Sequence, residues 1–136
     1  VAVALELGPA DAAVLAHVRE MALPVDAEVI LMHVAESAAS RYLGRESSDL
    51  ESREDAATLA AIAQGLAARG WRSSVMLGHG DVQSELARMV GEVQADLLVT
   101  GSHGHRLIGD LLFGATTSGL RHRVHCPVLT IHGARP

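Results

Sequence analysis

Residues 97–104 read Leu97-Leu98-Val99-Thr100-Gly101-Ser102-His103-Gly104 (LLVTGSHG). An apolar run that stops abruptly at Gly-Ser-His-Gly is a buried strand feeding a loop in which glycines are wanted. A third glycine, Gly114, comes after nine more residues, just ahead of a segment that reads as helix from Thr116 to Val124. Gly101 and Gly104 can take positive φ and let a ligand approach the backbone. Gly114, Ala115, Thr116 and Thr117 bring small side chains and bare N–H groups to a helix start, a place that attracts phosphate, and the two threonines add hydroxyl donors.

Working outward, strands and helices alternate. Val1–Leu5 is a short apolar run bounded by Gly8-Pro9, and Val29–Val34 and Val128–Ile131 are runs of the same kind. Ala10–Ala22 sets Val14, Leu15, Val18, Met21 and Ala22 on one helical face, and Pro24 closes it. Ser37–Ser48 is polar and reads as a loop, followed by a helix over Asp49–Arg69 with Gly70 just past its end. Trp71–Leu77 alternates as an edge strand with one wet face, and Gly78-His79-Gly80 turns the chain. Asp81 caps a helix over Val82–Gln94, and Ala95–Thr100 is the fourth strand. Cys126-Pro127 stops the last helix. The order β-α-β-α-β-α-β-α-β predicts one doubly wound α/β domain over residues 1–136. Its sheet has five mainly parallel strands in the order 3-2-1-4-5, with four helices on both faces.

Composition narrows the function. Apolar residues make up 49% of the 136 and aromatics 2%, so the core is built from Ala, Val, Leu and Ile. The net charge is −5, and the chain has no lysine and no run of arginines, which argues against a nucleic-acid partner. One cysteine cannot form an internal disulfide, no apolar run is long enough to span a bilayer, and no secretory pattern opens the chain. A reducing, cytoplasmic setting is expected. The chain opens on Val1, without Met and within a strand, which fits either missing leading residues or a piece of a longer polypeptide.

An open parallel sheet takes ligands beyond the carboxyl ends of its strands, where the strand order reverses. With the first strand central, that crevice lies between Leu5–Gly8 and Thr100–His105. The glycine segments then form two halves of a phosphate cradle, and the end of the first strand is a floor under the base or ribose. The plainer alternative, glycines that merely end a strand and start a helix, stays open. Neither a G-x-G-x-x-G fingerprint nor a Walker P-loop is present.

Gly101-Ser102-His103-Gly104, nine spacer residues and Gly114 resemble the G-x-x-G, nine-residue, G-[ST] signature of ATP-binding universal stress proteins. The resemblance spans nearly the whole chain and includes His33-Val34 closing the second strand and the terminal HCPVLTI (125–131). It implies the same sheet, with ATP or AMP as ligand and no metal required by the protein itself. The implied contacts are Leu5, Glu6, Val34, Gly101, Ser102, His103, Gly104, His105, Gly114, Ala115, Thr116 and Thr117. It also implies a homodimer through the last strand, Val128, Leu129, Thr130 and Ile131. Two positions depart from the family: Ala115 stands where Ser or Thr is usual, removing one hydroxyl, and Glu6 stands where Asp is usual, extending the carboxylate by a methylene. The string DLLFGATTSGLRHRVHCPVL (110–129) is also similar to universal stress domains fused to natural-resistance-associated metal-ion transporters. That similarity gives a second reading: a non-nucleotide-binding dimerisation or interaction module regulating a fused or associated transporter.

Other residues have plainer roles. His122 and His125 suit a helix carboxyl end, His103 and His105 face phosphate or solvent, and Arg106 reaches either phosphate or water. Cys126 reads as a small buried hydrophobe, and Arg45–Asp55 (RESSDLESRED) as a solvated loop and helix start. No nucleophile–base pair is placed at the crevice mouth, so no catalytic residue is assigned and any ATP hydrolysis is expected to be slow and incidental. An enzyme of similar sheet order remains an outlying reading, with His103 as its base.

Overall fold

The computed structural model describes residues 1–35, 45–102 and 119–132. Strand alternation sets the layers. In β1 (Ala2–Ala4), Ala2 and Val3 are both fully buried but belong to different core clusters, so the strand is covered on both faces. β1 pairs in parallel with β2 (Glu28–Ala35) at Ala2–Ile30, Val3–Leu31 and Ala4–Met32, and with β4 (Leu98–Gly101) at Ala2–Leu98 and Val3–Val99. β2 pairs with β3 (Arg72–His79) from Glu28–Arg72 to Ala35–His79, and β4 with β5 (Val128–Ile131) from Leu98–Val128 to Gly101–Ile131. The result is a five-stranded parallel sheet in the order β3-β2-β1-β4-β5, as expected.

Each face is closed by helices whose apolar positions recur at helical spacing. On one face, Val14, Leu15 and Val18 of α1 (Asp11–Glu20) and Leu59 and Leu66 of α2 (Arg45–Ala67) cover Val3, Leu5, Val29, Leu31 and Val99. On the other, Leu86, Met89 and Val90 of α3 (Val82–Glu92), with Leu120 from a helical turn at 119–121, cover Ala2, Met32, Val34 and Leu98. Burying one such leucine contributes about 1.5–3 kcal/mol, so this two-sided apolar packing dominates the stability. Gly70, with φ of 86°, ends α2 by returning its N–H to Ala67, while Trp71 N–H bonds Leu66.

Some boundaries differ from the sequence reading. α2 starts at Arg45, four residues earlier than Asp49, because its opening turns are polar and carry no apolar periodicity. β3 continues through Gly78 and His79, and Gly80 alone makes the turn, at φ 103°. β3 stays wet as an edge strand, with Arg72, Val75 and His79 exposed, but the exposure is not confined to one face: Trp71 just ahead of it and Leu77 pack on the α1–α2 side and Met76 on the α3 side.

Candidate functional site

The end of β1 is fixed from two sides. Leu5 N–H donates to Met32 carbonyl at 2.8 Å, and Leu5 carbonyl accepts from His33 Nδ1 at 2.8 Å. The other ring nitrogen of His33 lies 3.4 Å from Asp55 Oδ2, so one side chain at the end of β2 joins β1 to α2. Beyond Leu5 the backbone curls around Asp11. Its Oδ1 accepts from Glu6 N–H at 3.1 Å, and its Oδ2 accepts from Leu7 N–H at 2.7 Å and Gly8 N–H at 3.3 Å. Asp11 is 8% exposed, and Leu7 sits in the left-handed region with φ of 58°. Both Asp11 and His33 escaped the sequence reading as site-forming residues. An acidic residue opening a helix two positions after Gly8-Pro9 was the available signal for Asp11, since such a residue can reach back to loop N–H groups.

The end of β4 approaches the same loop. Gly101 is the last residue of β4, paired with Ile131, and Ser102 N–H donates to Ile131 carbonyl at 2.9 Å. A Cβ at Gly101 would lie 3.4 Å from Val14 Cγ2 and 3.8 Å from Ala10 Cβ, so the first turn of α1 leans on this strand end. Among the described glycines only Gly70 and Gly80 have positive φ, so Gly101 does not use the left-handed conformation that its position suggested. It ends an extended strand, where any residue could adopt the same angles. One residue earlier, Thr100 stands beside Thr130 in register, and both hydroxyls are buried without a hydrogen-bond partner among the described residues.

These placements divide the expected contacts. Leu5 and Val34 are 3% and 8% exposed and their side chains belong to the core, so they can offer a ligand only main chain. Glu6 is exposed and Ser102 is half-buried at the mouth. His103, Gly104, His105, Arg106, Gly114, Ala115, Thr116 and Thr117 lie outside the described residues, and with them the second half of the cradle. What the described chain brings together is the loop after β1, the first turn of α1 and the end of β4.

Away from the mouth, Asp81 caps α3 by accepting Ser84 N–H at 2.9 Å, and this bonding to Ser84 holds its carboxyl below the usual range. The Arg88 guanidinium grips Glu85 at 2.8 and 3.0 Å and also meets Glu92. Bonding to Arg88 lowers the Glu85 carboxyl, and the two carboxylates raise the guanidinium. Burial pushes the Cys126 thiol up, as suits a small apolar filler. His122 and His125 are exposed, and among the described residues no cluster of three His, Cys, Asp or Glu could hold a metal. A cleft of about 280 Å³ beside Trp71, Leu23 and Pro24 opens at the opposite, amino end of the sheet, away from this site. No described helix is long and apolar enough to cross a membrane.

With this geometry in place, residues 1–132 match the universal stress protein family. The chain belongs to that family. No curated protein is significantly similar to it. Among solved structures, this universal stress protein resembles the hypothetical protein MJ0577, with TM-score 0.85 at 19% identity over 99% of this chain and 97% of that one. The universal stress protein UspA from Lactobacillus plantarum gives TM-score 0.70 at 18% identity, covering 96% of each chain. A universal stress protein family protein from Arabidopsis thaliana with AMP bound gives 0.63 at 17% identity over 98% of this chain and 91% of that one. At these identities the likeness establishes the shared fold.

Proposed function

We propose that this universal stress protein binds an adenine nucleotide, ATP or AMP, at the carboxyl ends of β1 and β4, and works as a sensing or regulatory domain. One observation carries the reading. β1 has β2 on one side and β4 on the other, and α1 after β1 packs on one face while the helical turn at 119–121 after β4 packs on the other, the switch-point arrangement at which an open parallel sheet takes its ligand. The residues we assign to the nucleotide on this side are Leu5 and Val34 at the strand ends, Glu6 on the rim, and the side-chain-free Gly101 next to Ser102. His103, Gly104, His105, Gly114, Ala115, Thr116 and Thr117 would supply the phosphate wall. The AMP carried by the Arabidopsis relative supports the ligand class. We assign no catalytic step, place the protein in the cytoplasm and require no metal of it.

The second reading, an interaction module that regulates a fused or associated transporter without nucleotide, is favoured by β5. Among the described residues that strand ends the sheet, with a partner on one side only, and leaves Leu129 38% exposed. The same edge is our candidate homodimer interface under either reading, through Val128, Leu129, Thr130 and Ile131. Native mass spectrometry of the purified protein, with thermal shift on adding ATP or AMP, separates the two. Retained nucleotide or a rise in melting temperature that Gly104→Val abolishes supports binding, since a Cβ at that glycine would crowd the ligand. An apo protein indifferent to millimolar nucleotide leaves the interaction module standing, and a shift that survives Gly104→Val refutes the cradle.

A further inference from the structure

We propose that Asp11 is a specificity-determining residue of the β1 wall: it fills a backbone amide cup with the chain's own carboxylate and thereby denies that cup to ligand phosphate. Successive N–H groups that converge around a left-handed residue form a concave anion site. Glu6, Leu7 and Gly8 make such a cup, with Leu7 at φ 58°. The anion is already present, since all three N–H groups end on the two oxygens of Asp11, at 3.1, 2.7 and 3.3 Å. Asp11 is 8% exposed and opens α1, whose N-terminal partial charge holds a carboxylate in place. A phosphate arriving at this cup finds its three N–H groups already bonded and a fixed negative charge. The β1 wall therefore receives the uncharged part of a ligand, and phosphates are confined to the β4 side. This last step rests on the nucleotide reading above, whereas the self-occupied cup does not.

Backbone amide spectra of isotopically labelled protein test the cup directly. Inorganic phosphate is titrated against a chloride control at matched ionic strength, and the Glu6, Leu7 and Gly8 signals are followed. In the wild type those three signals stay fixed. In Asp11→Ala they move and saturate at millimolar phosphate, a gain of binding that loss of a merely structural contact would not produce. Asp11→Asn still fills the cup, with one accepting oxygen and an NH2 group in place of the other, and leaves them unmoved by phosphate. If Asp11→Ala loses its dispersed spectrum, Asp11→Ser vacates most of the cup and reads the same way. A folded Ala or Ser variant whose three amides ignore phosphate overturns the inference, as does a wild-type protein whose amides respond equally. ATP added to the wild type tests the nucleotide reading separately: failure there, with a phosphate response in the variant, sinks that reading and leaves the cup intact.

Discussion

Gly78 lies buried in β3 under the first turns of α3, and adding one methyl there tests how tightly that helix is seated. An alanine Cβ would stand 2.5 Å from Glu85 Cγ and 3.0 Å from its Oε1. Carbon atoms in contact sit about 3.5–4.0 Å apart, so roughly 1 Å of overlap must be relieved. The obstacle is the middle of a side chain whose carboxylate is held by Arg88, so Glu85 cannot swing aside without giving up that fork. Overpacking of this kind costs about 1–3 kcal/mol. With a urea slope of about 1–3 kcal/mol/M, the unfolding midpoint falls by roughly 1 M. Circular dichroism of the helices and fluorescence of Trp71, the single tryptophan, report the transition. The control is the same substitution in a Glu85→Ala background. With the obstruction gone, alanine suits a strand interior better than glycine by about 0.5–1 kcal/mol, and Gly78→Ala turns stabilising. An equal loss in both backgrounds, or no loss in the wild type, would refute the steric argument.

Other expectations concern separate parts of the molecule. Leu66→Ala, which empties a fully buried position on the inner face of α2, lowers stability by about 2–5 kcal/mol in urea titration, and a smaller loss would mean that the core closes over the gap. The carboxyls of Asp81 and Glu85 are lowered in the folded state, through Ser84 and Arg88 respectively. The stability they add is therefore complete above the ordinary carboxylate range and lost as pH falls through their lower folded-state values. Urea midpoints measured down to about pH 3 should decline less steeply in Asp81→Asn/Glu85→Gln than in the wild type. Burial raises the Cys126 thiol, so its reaction with a disulfide reagent at neutral pH is slower than that of free cysteine and keeps accelerating at higher pH; fast neutral reaction contradicts this. Leu129→Arg at the outer edge of β5 places a charge in the candidate dimer seam, and sedimentation should then give monomer where the wild type gives dimer.

The parts legible in the sequence were those with strong periodicity or punctuation. Val29–Val34 and Val128–Ile131 are apolar runs between breakers, and both are strands with shifts of at most one residue. Gly70 and Asp81 announced a helix end and a helix start, and both act as read, through backbone geometry in one case and a side-chain bond to Ser84 in the other. The opening of α2 was illegible because a polar helical turn has the composition of a loop. At the site, glycines pointed to the mouth but not to what fills it. Gly101 looked like a flexible corner, yet it is an extended residue with α1 against it. Asp11 and His33 stayed hidden because they bond main-chain atoms at Glu6, Leu7, Gly8 and Leu5, which leave no pattern in side-chain identity, and because the Asp55 that His33 also meets is far from it in sequence.

The outer β2–β3 ladder and the β1–β4 ladder beside the central strand differ in length. β2 and β3 run together from Glu28–Arg72 to Ala35–His79, whereas β1 and β4 share only Ala2–Leu98 and Val3–Val99. With so few ladder bonds, the β1–β4 join rests mainly on the apolar packing of Ala2, Val3, Leu98 and Val99, all fully buried. A molecule touching the β1 loop and the β4 end together would act as a splint across that seam, adding bonds where the ladder supplies fewest.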